Sequence, residues 1–245
     1  MEKNRNISES QINELSRSTY RTQSNIAIVN SKYSLKITLL GNSSVGKTSL
    51  ITKYCQEKFN PEGTNPTINV SIQEKIIKID PFTEAKLNIW DTAGAEKYLS
   101  FTKGYLRDSN GIILVFDFTN EKSFESLDKW IELINDTVEE GEVEKILVGN
   151  KSDLSSRKIS DEMANKYASE HGMKFISVSV KEGINIDYLF EVLGNNCVKK
   201  LQELHDKKEK ETENEVNKEN QEKISILSID NNNKTAEKKP KRKCC

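Results

Sequence analysis

Three short groups of residues in this 245-residue chain have the types and spacing that phosphate and base chemistry require. The first is Gly41-Asn42-Ser43-Ser44-Val45-Gly46-Lys47-Thr48, a G-x-x-x-x-G-K-T run with Ser49 next in line. Gly41 and Gly46 admit backbone conformations that a Cβ would obstruct, so successive N–H groups can converge on phosphate oxygens at a helix N-terminus. Lys47 supplies a point charge to terminal phosphates, and the Thr48 hydroxyl is a hard oxygen suited to Mg²⁺. The second group, Asp91-Thr92-Ala93-Gly94, follows an apolar stretch that ends at Trp90. An Asp at the carboxyl end of a strand can hold Mg²⁺ through water, and the Gly94 N–H can approach the last phosphate; taken alone, the same residues also suit a plain strand-end turn. The third group is Asn150-Lys151-Ser152-Asp153. A carboxylate at Asp153 accepts two hydrogen bonds from N1–H and the exocyclic amine of guanine, whereas adenine presents an acceptor at that edge, so this residue selects guanine. In a chain this rich in Asn and Lys the pattern arises by chance in roughly one chain in seven, so its force comes from order and placement. Each group stands at the end of a predicted strand, and Ser179-Val180-Lys181 after a further strand closes a base pocket by a backbone N–H. Jointly they specify a guanine-nucleotide site.

The elements that must hold these groups are short apolar runs alternating with amphipathic segments, the pattern of βα units around a mainly parallel sheet. Six strands are predicted, at Leu35–Leu40, Val70–Ile79, Leu87–Trp90, Ile112–Phe116, Ile146–Val148 and Phe175–Val178. Alternation across Glu74, Ile76, Lys78 and Pro81 marks the second as an edge hairpin that returns at Leu87; the other runs suit buried central strands. Helices are predicted after Gly46, Glu121, Ser160 and Ile186, the second with Phe124, Leu127, Trp130, Ile131 and Ile134 at helical spacing. The expected fold is therefore α/β, a six-stranded mostly parallel sheet with helices on both faces. It is assigned to residues 34–204, with a disordered polar arm at 1–33 and a flexible tail at 205–245.

Composition sets the outer bounds. Lys+Arg 37 against Asp+Glu 38 leave a formal net charge of -1, which gives no whole-chain basic field for nucleic acid. No apolar run approaches the ~20 residues of a membrane span, so any membrane contact is expected to be peripheral. The polar start, Met1-Glu2-Lys3-Asn4-Arg5, lacks the apolar core of a signal peptide, and a reducing cytosol is expected. Cys55 and Cys197 suit helix or core positions, His171 and His205 suit surface helix ends, and Cys244 and Cys245 form neither a disulfide framework nor a zinc spacing.

On these motifs, over about Ser34 to Leu204, the sequence resembles a small GTPase of the Ras superfamily, and specifically a Rab. Tyr105-Leu106-Arg107, then Gly111-Ile112-Ile113-Leu114-Val115-Phe116-Asp117, is similar to the Rab segment from the second switch into the fourth strand, and Trp90 and Trp130 are Rab-like. Cys244-Cys245 resembles the double-cysteine signal for two geranylgeranyl groups. The resemblance implies a P-loop GTPase domain that binds GTP and GDP with Mg²⁺ and acts as a membrane-tethered switch in vesicle traffic. It implies that Lys47, Thr67 and Gly94 serve catalysis, that Thr48, Thr67 and Asp91 hold the metal, and that Phe59 flanks the base. The nucleotide set is then the loop from Gly41 to Ser49 together with Phe59, Thr67, Asp91, Gly94, Asn150, Lys151, Asp153, Ser179, Val180 and Lys181. The implied partners are an exchange factor, a GTPase-activating protein, effectors, a prenylation escort and an extraction protein of the GDP-dissociation-inhibitor type. The implied location is the cytoplasmic face of endomembranes, cycling with the cytosol.

Physical chemistry supports the implied anchor. Two lipid chains give stable attachment at about 0.8 kcal/mol per buried CH₂, and Lys238, Lys239, Lys241, Arg242 and Lys243 can each add about 1 kcal/mol near an anionic leaflet. Without the resemblance the same residues form only a solvated basic end. Ile224, Ile226, Leu227 and Ile229 resemble the patch that Rabs present to escort and extraction proteins, or are tail aliphatics without a role.

Three departures from the family pattern stand out. The stretch from Phe59 to Thr67 is one residue longer than usual, and Asn69-Val70-Ser71-Ile72 replaces the usual Gly-x-Asp-Phe. Most consequential, Ala95 occupies the position where most Rabs carry the Gln that orients the attacking water. A methyl group neither donates nor accepts, and loss of one such contact commonly costs about 10²–10³ in rate, so slow intrinsic hydrolysis is expected. The rivals are a GTP-bound scaffold with negligible hydrolysis, which Ala95 favours, and a P-loop kinase or ATPase, which Asp153 opposes. In a competition titration against labelled GDP, GTP is expected to displace the label where ATP does not; equal affinities would restore the ATPase reading.

Overall fold

The computed structural model describes residues 31–61, 67, 70–92, 99–139, 141–208 and 210. Most of the arm expected at 1–33, and the tail beyond 210, lie outside the described residues, but a strand already runs from Ser31. The chain divides into two units, Met1–Val198 and Lys199–Cys245, ahead of the boundary expected at Leu204; in the second, residues 199–208 are helical. The sheet and the motif residues all belong to the first unit.

Six strands form one sheet in the order β2-β3-β1-β4-β5-β6. They are β1 (Ser31–Leu40), β2 (Ser71–Asp80), β3 (Thr83–Asp91), β4 (Gly111–Asp117), β5 (Glu144–Asn150) and β6 (Lys174–Ser177). All adjacent pairs are parallel except β2 with β3, which form the expected antiparallel edge hairpin. It turns at Pro81-Phe82, so β3 begins earlier than Leu87: Phe82 N–H donates to Asp80 Oδ1 at 2.8 Å, a side-chain turn that tightens the reversal.

Burial explains why these segments are strands. In β2 exposed and half-buried residues alternate, with Glu74, Ile76 and Lys78 on the outer side, whereas β4 is buried at every residue. Ile112, Leu114 and Phe116 join the cluster containing Leu127, Trp130, Ala164 and Ala168. A Cβ at Gly111 would meet Ile37, Leu193 and Cys197, whose helix packs there. Successive β4 residues thus serve opposite faces, as a strand buried on both sides must.

The helices are α1 (Lys47–Gln56), α2 (Leu99–Leu106), α3 (Glu121–Glu125), α4 (Leu127–Asn135), α5 (Asp161–Glu170) and α6, over residues 186–198. The single helix expected after Glu121 is two, interrupted at Ser126, whose Oγ donates to Lys122 O at 2.7 Å. The apolar spacing nevertheless holds: Leu127, Trp130, Ile131 and Ile134 are buried. Helix α2 was not expected, because Leu-Ser-Phe-Thr-Lys-Gly-Tyr-Leu sustains no apolar stripe and contains a glycine. Helix α5 starts where expected, its Ser160 Oγ accepting from Met163 N–H at 3.2 Å.

Aromatic rings fill the space between β4, β5 and the helices. Phe116 meets Phe118 edge-on at 5.2 Å and Phe124 at 5.0 Å. Gly149 in β5 exists to admit them: a Cβ there would lie 2.6 Å from Phe118 Cζ and 2.9 Å from Phe116 Cζ. Gly149→Ala is therefore expected to lower stability by about 1–3 kcal/mol through ring displacement, measured as a lower urea midpoint with unchanged slope.

Candidate nucleotide-binding site

The loops after β1, β5 and β6 and the segment after α1 line a cavity of about 370 Å³, and Asp91 at the end of β3 stands behind it, bonded to Thr48. Ser43, Ser44, Gly46, Lys47, Thr48 and Ser49 line one side; Phe59 and Thr67 lie across it; Asn150, Lys151, Asp153, Val180 and Lys181 line the other. Asn60, Pro61 and Leu154, which sequence reasoning did not single out, complete the wall.

The phosphate loop bends as its glycines allow. Gly41 and Gly46 have φ of 132° and 100°, and a Cβ would strike Val115 O at the first and Asn150 Nδ2 at the second. Ser44 also adopts a left-handed φ of 64° without being glycine. The first turn of α1 opens toward the cavity, presenting helix N–H groups and the Lys47 side chain together. Lys47 is buried, and its ammonium donates to Gly41 O at 2.7 Å and Asn42 O at 2.9 Å.

The other residues assigned to the site support it from behind the lining. Val45 is buried and its carbonyl accepts from Asn150 Nδ2 at 2.8 Å. Asn150 Oδ1 in turn accepts from Lys151 N–H at 2.7 Å and Val180 N–H at 3.3 Å. Ser179 Oγ donates to Asp153 Oδ1 at 2.7 Å, aiming the carboxylate. Lys151 Nζ pairs with Asp117 Oδ2 at 2.6 Å, and Asp117 Oδ1 accepts from Thr119, so a buried Asp outside the predicted set anchors this loop. Its signal in the sequence was only its place at the end of β4.

Thr48, Thr67 and Asp91 form an oxygen cluster. Thr48 Oγ1 donates to Asp91 Oδ2 at 2.8 Å; with that proton committed, Thr67 Oγ1, also 2.8 Å away, must donate to Thr48. Asp91 Oδ1 is buried without a hydrogen-bond partner among the described residues. Burial pushes the Asp91 carboxyl above its ordinary range, against the Thr48 bond and the Lys47 charge. A partly orphaned carboxylate beside two hydroxyls is the donor set a small hard cation takes, so the residues fit Mg²⁺. Gly94 and Ala95 lie outside the described residues, as do Cys244 and Cys245.

Helix α4 reaches the phosphate loop from the side. Trp130 Nε1 donates to Asn42 Oδ1 at 2.8 Å, and Asn42 Nδ2 donates to Ser126 Oγ at 3.0 Å. The residue whose carbonyl receives Lys47 is thus fixed by both ends of its amide. Neither contact was visible in the sequence, where the partners stand far apart.

The sequence model of the Ras family matches residues 36–199. The chain is 39% identical over 166 residues to Ras-related protein Rab-13 of Bos taurus, covering 67% of this chain and 80% of that one. It is 37% identical over 170 residues to Ras-related protein Rab-8B of Homo sapiens, covering 69% and 81%. The chain belongs to the Ras family, as a Rab-type small GTPase. The family binds GTP and GDP with Mg²⁺ and hydrolyses GTP. No described helix is long and apolar enough to cross a membrane.

Trp130→Phe keeps a ring and removes the indole N–H. It is expected to lower stability by about 1 kcal/mol and to speed nucleotide release about fivefold, checked by denaturation and by the off-rate of labelled GDP.

Proposed function

We propose that this Rab-type chain is a membrane-tethered switch in intracellular vesicle traffic whose own GTP hydrolysis is slow. The observation that supports it best is the gathering around one cavity of the buried Lys47, the Thr48–Thr67–Asp91 oxygens and the Ser179-oriented Asp153. The loop N–H groups from Ser43 to Ser49 and the Lys47 ammonium bind the phosphates, and Lys47 exchanges its carbonyl partners for phosphate oxygens. Asp153 accepts from the guanine edge; Phe59 covers one face of the base and the Val180 and Lys181 backbone closes the pocket. Thr48, Thr67 and Asp91 would hold Mg²⁺, which when bound would supply positive charge against the phosphates.

Nucleotide state is read through Thr67 and Gly94. Only the terminal phosphate can be contacted by the two together, which makes their two segments the elements partners sample. Hydrolysis needs one group more, a polar side chain that orients the attacking water, and Ala95 supplies none. An activating protein that brings its own polar residue in trans, or Glu96, would compensate. Two prenyl groups on Cys244 and Cys245, helped by the basic segment before them, hold the switch at endomembranes, and an escort and an extraction protein handle the lipid.

A second reading, a GTP-bound scaffold controlled by exchange and extraction alone, rests on the same Ala95. Single-turnover hydrolysis of preloaded GTP with Mg²⁺ separates them, comparing the natural chain with Ala95→Gln. The substitution is expected to raise the rate about tenfold or more. Equal rates of ordinary size would show that another group orients the water, and negligible rates in both would favour the scaffold.

A further inference from the structure

We infer that Arg157, which lies outside every nucleotide motif, is a positioning residue for base selectivity: it locks the peptide that precedes Asp153. This rests on the reading of Asp153 as the guanine acceptor. The Arg157 guanidinium makes four contacts that leave it one orientation. Nε and Nη2 both donate to Ser152 O, at 3.2 and 2.6 Å. Nη1 pairs with Asp161 Oδ2 at 3.2 Å in the first turn of α5. The guanidinium carbon lies 4.4 Å from the centroid of the Phe118 ring, and Phe118 is fully buried.

Ser152 C=O belongs to the same peptide plane as Asp153 N–H, so whatever holds that oxygen sets the direction in which the Asp153 backbone leaves the loop. The other side of Ser152 is also held, its N–H donating to Val178 O at 3.1 Å. The platform under Arg157 is rigid in turn. Phe118 N–H donates to Asn150 O at 3.1 Å, Phe118 O accepts from Lys158 N–H at 2.8 Å, and the ring fills the space Gly149 leaves. Asp153 is therefore held at both ends by different groups, its carboxylate by Ser179, with Lys181 Nζ 4.0 Å from the other oxygen, and its backbone by Arg157. A forked, planar donor holds one carbonyl with two N–H groups while stacking on a ring; a Lys at 157 would keep one donor for that carbonyl without the fork or the stack.

The consequence is specific to the base edge. Inosine triphosphate keeps the N1–H of guanine and lacks its exocyclic amine, so it offers Asp153 one hydrogen bond where GTP offers two. A carboxylate held in register rewards the second bond; one free to tilt does not. Competition of GTP and of inosine triphosphate against labelled GDP, on the full-length chain with Mg²⁺, reads this as a ratio in which losses common to both nucleotides cancel. In the natural protein GTP is expected to bind roughly 10- to 100-fold more tightly. In Arg157→Ala that ratio is expected to fall about fivefold or more, and Arg157→Lys to recover part of it. An Arg157→Ala ratio equal to the natural one, even with both affinities reduced, overturns the inference, as does Arg157→Lys no better than Arg157→Ala. A ratio near one in the natural protein would remove the Asp153 reading itself, and the inference with it.

Discussion

The side-chain amide of Asn150 joins three loops. Its Nδ2 donates to the carbonyl of Val45 in the phosphate loop, and its Oδ1 accepts from Lys151 in its own loop and from Val180 beyond β6. All three partners are backbone groups, so the amide fixes chain paths as well as side chains. Phosphate and base halves of the cavity come from opposite ends of the domain sequence, and a distance of 105 residues separates the two ends of the Asn150–Val45 bond. Asn150 is buried, so losing a partner would leave a desolvated polar group, a cost that water cannot relieve. Gly46 complements it: any Cβ there would occupy the space of the Asn150 amide.

The two halves of the site are built on opposite principles. Around the base, polar groups are satisfied within the protein: Asp153 by Ser179, Lys151 by Asp117, Ser152 by Val178 and Arg157. That half is formed in advance, which suits discrimination between bases. Around the phosphates the protein leaves capacity over. Asp91 Oδ1 is unsatisfied among the described residues, the carboxyl is pushed up by burial, and Thr48 bonds its other oxygen with Thr67 behind. Under the proposed function, selectivity would belong to the half whose polar groups are paired within the protein, and response to the number of phosphates to the half where Asp91 Oδ1 is left over.

How much of this was legible in the sequence depends on the range of the forces involved. The six strands were legible because buried central strands are unbroken apolar runs, and β2 because its outer face alternates. The motif residues were legible because glycine geometry, a lysine and a hydroxyl must sit at fixed local spacing to cradle a phosphate. Helix α2 was not, since its eight residues carry no stripe, and the break at Ser126 falls inside an apolar spacing that continues across it, so periodicity does not record it. The Trp130–Asn42 bond, across 88 residues, and the Arg157 clamp, whose ring partner stands in a different loop, are products of the finished topology. The spacing within a motif specifies what touches the ligand; only the fold specifies what holds the motif still.

Backbone strain supports the same division of labour. Among described residues, five other than glycine adopt a left-handed φ, and two of them, Ser44 and Lys151, line the cavity. Each costs on the order of 1 kcal/mol and persists only where the surroundings over-determine it. At Lys151 the surroundings are evident: the ammonium is held by Asp117, the N–H by Asn150, and the carbonyl accepts from Leu154 N–H. At Ser44 the constraint is the loop itself, pinned on one side by Asn42 between Trp130 and Ser126 and on the other by Val45 against Asn150. A glycine would take that conformation without strain, yet the chain places a hydroxyl-bearing residue on the cavity wall there. The strain at Ser44 is thus offset by contacts made at Asn42 and Val45, and the phosphate loop keeps its shape because α4 and β5 grip it from either side.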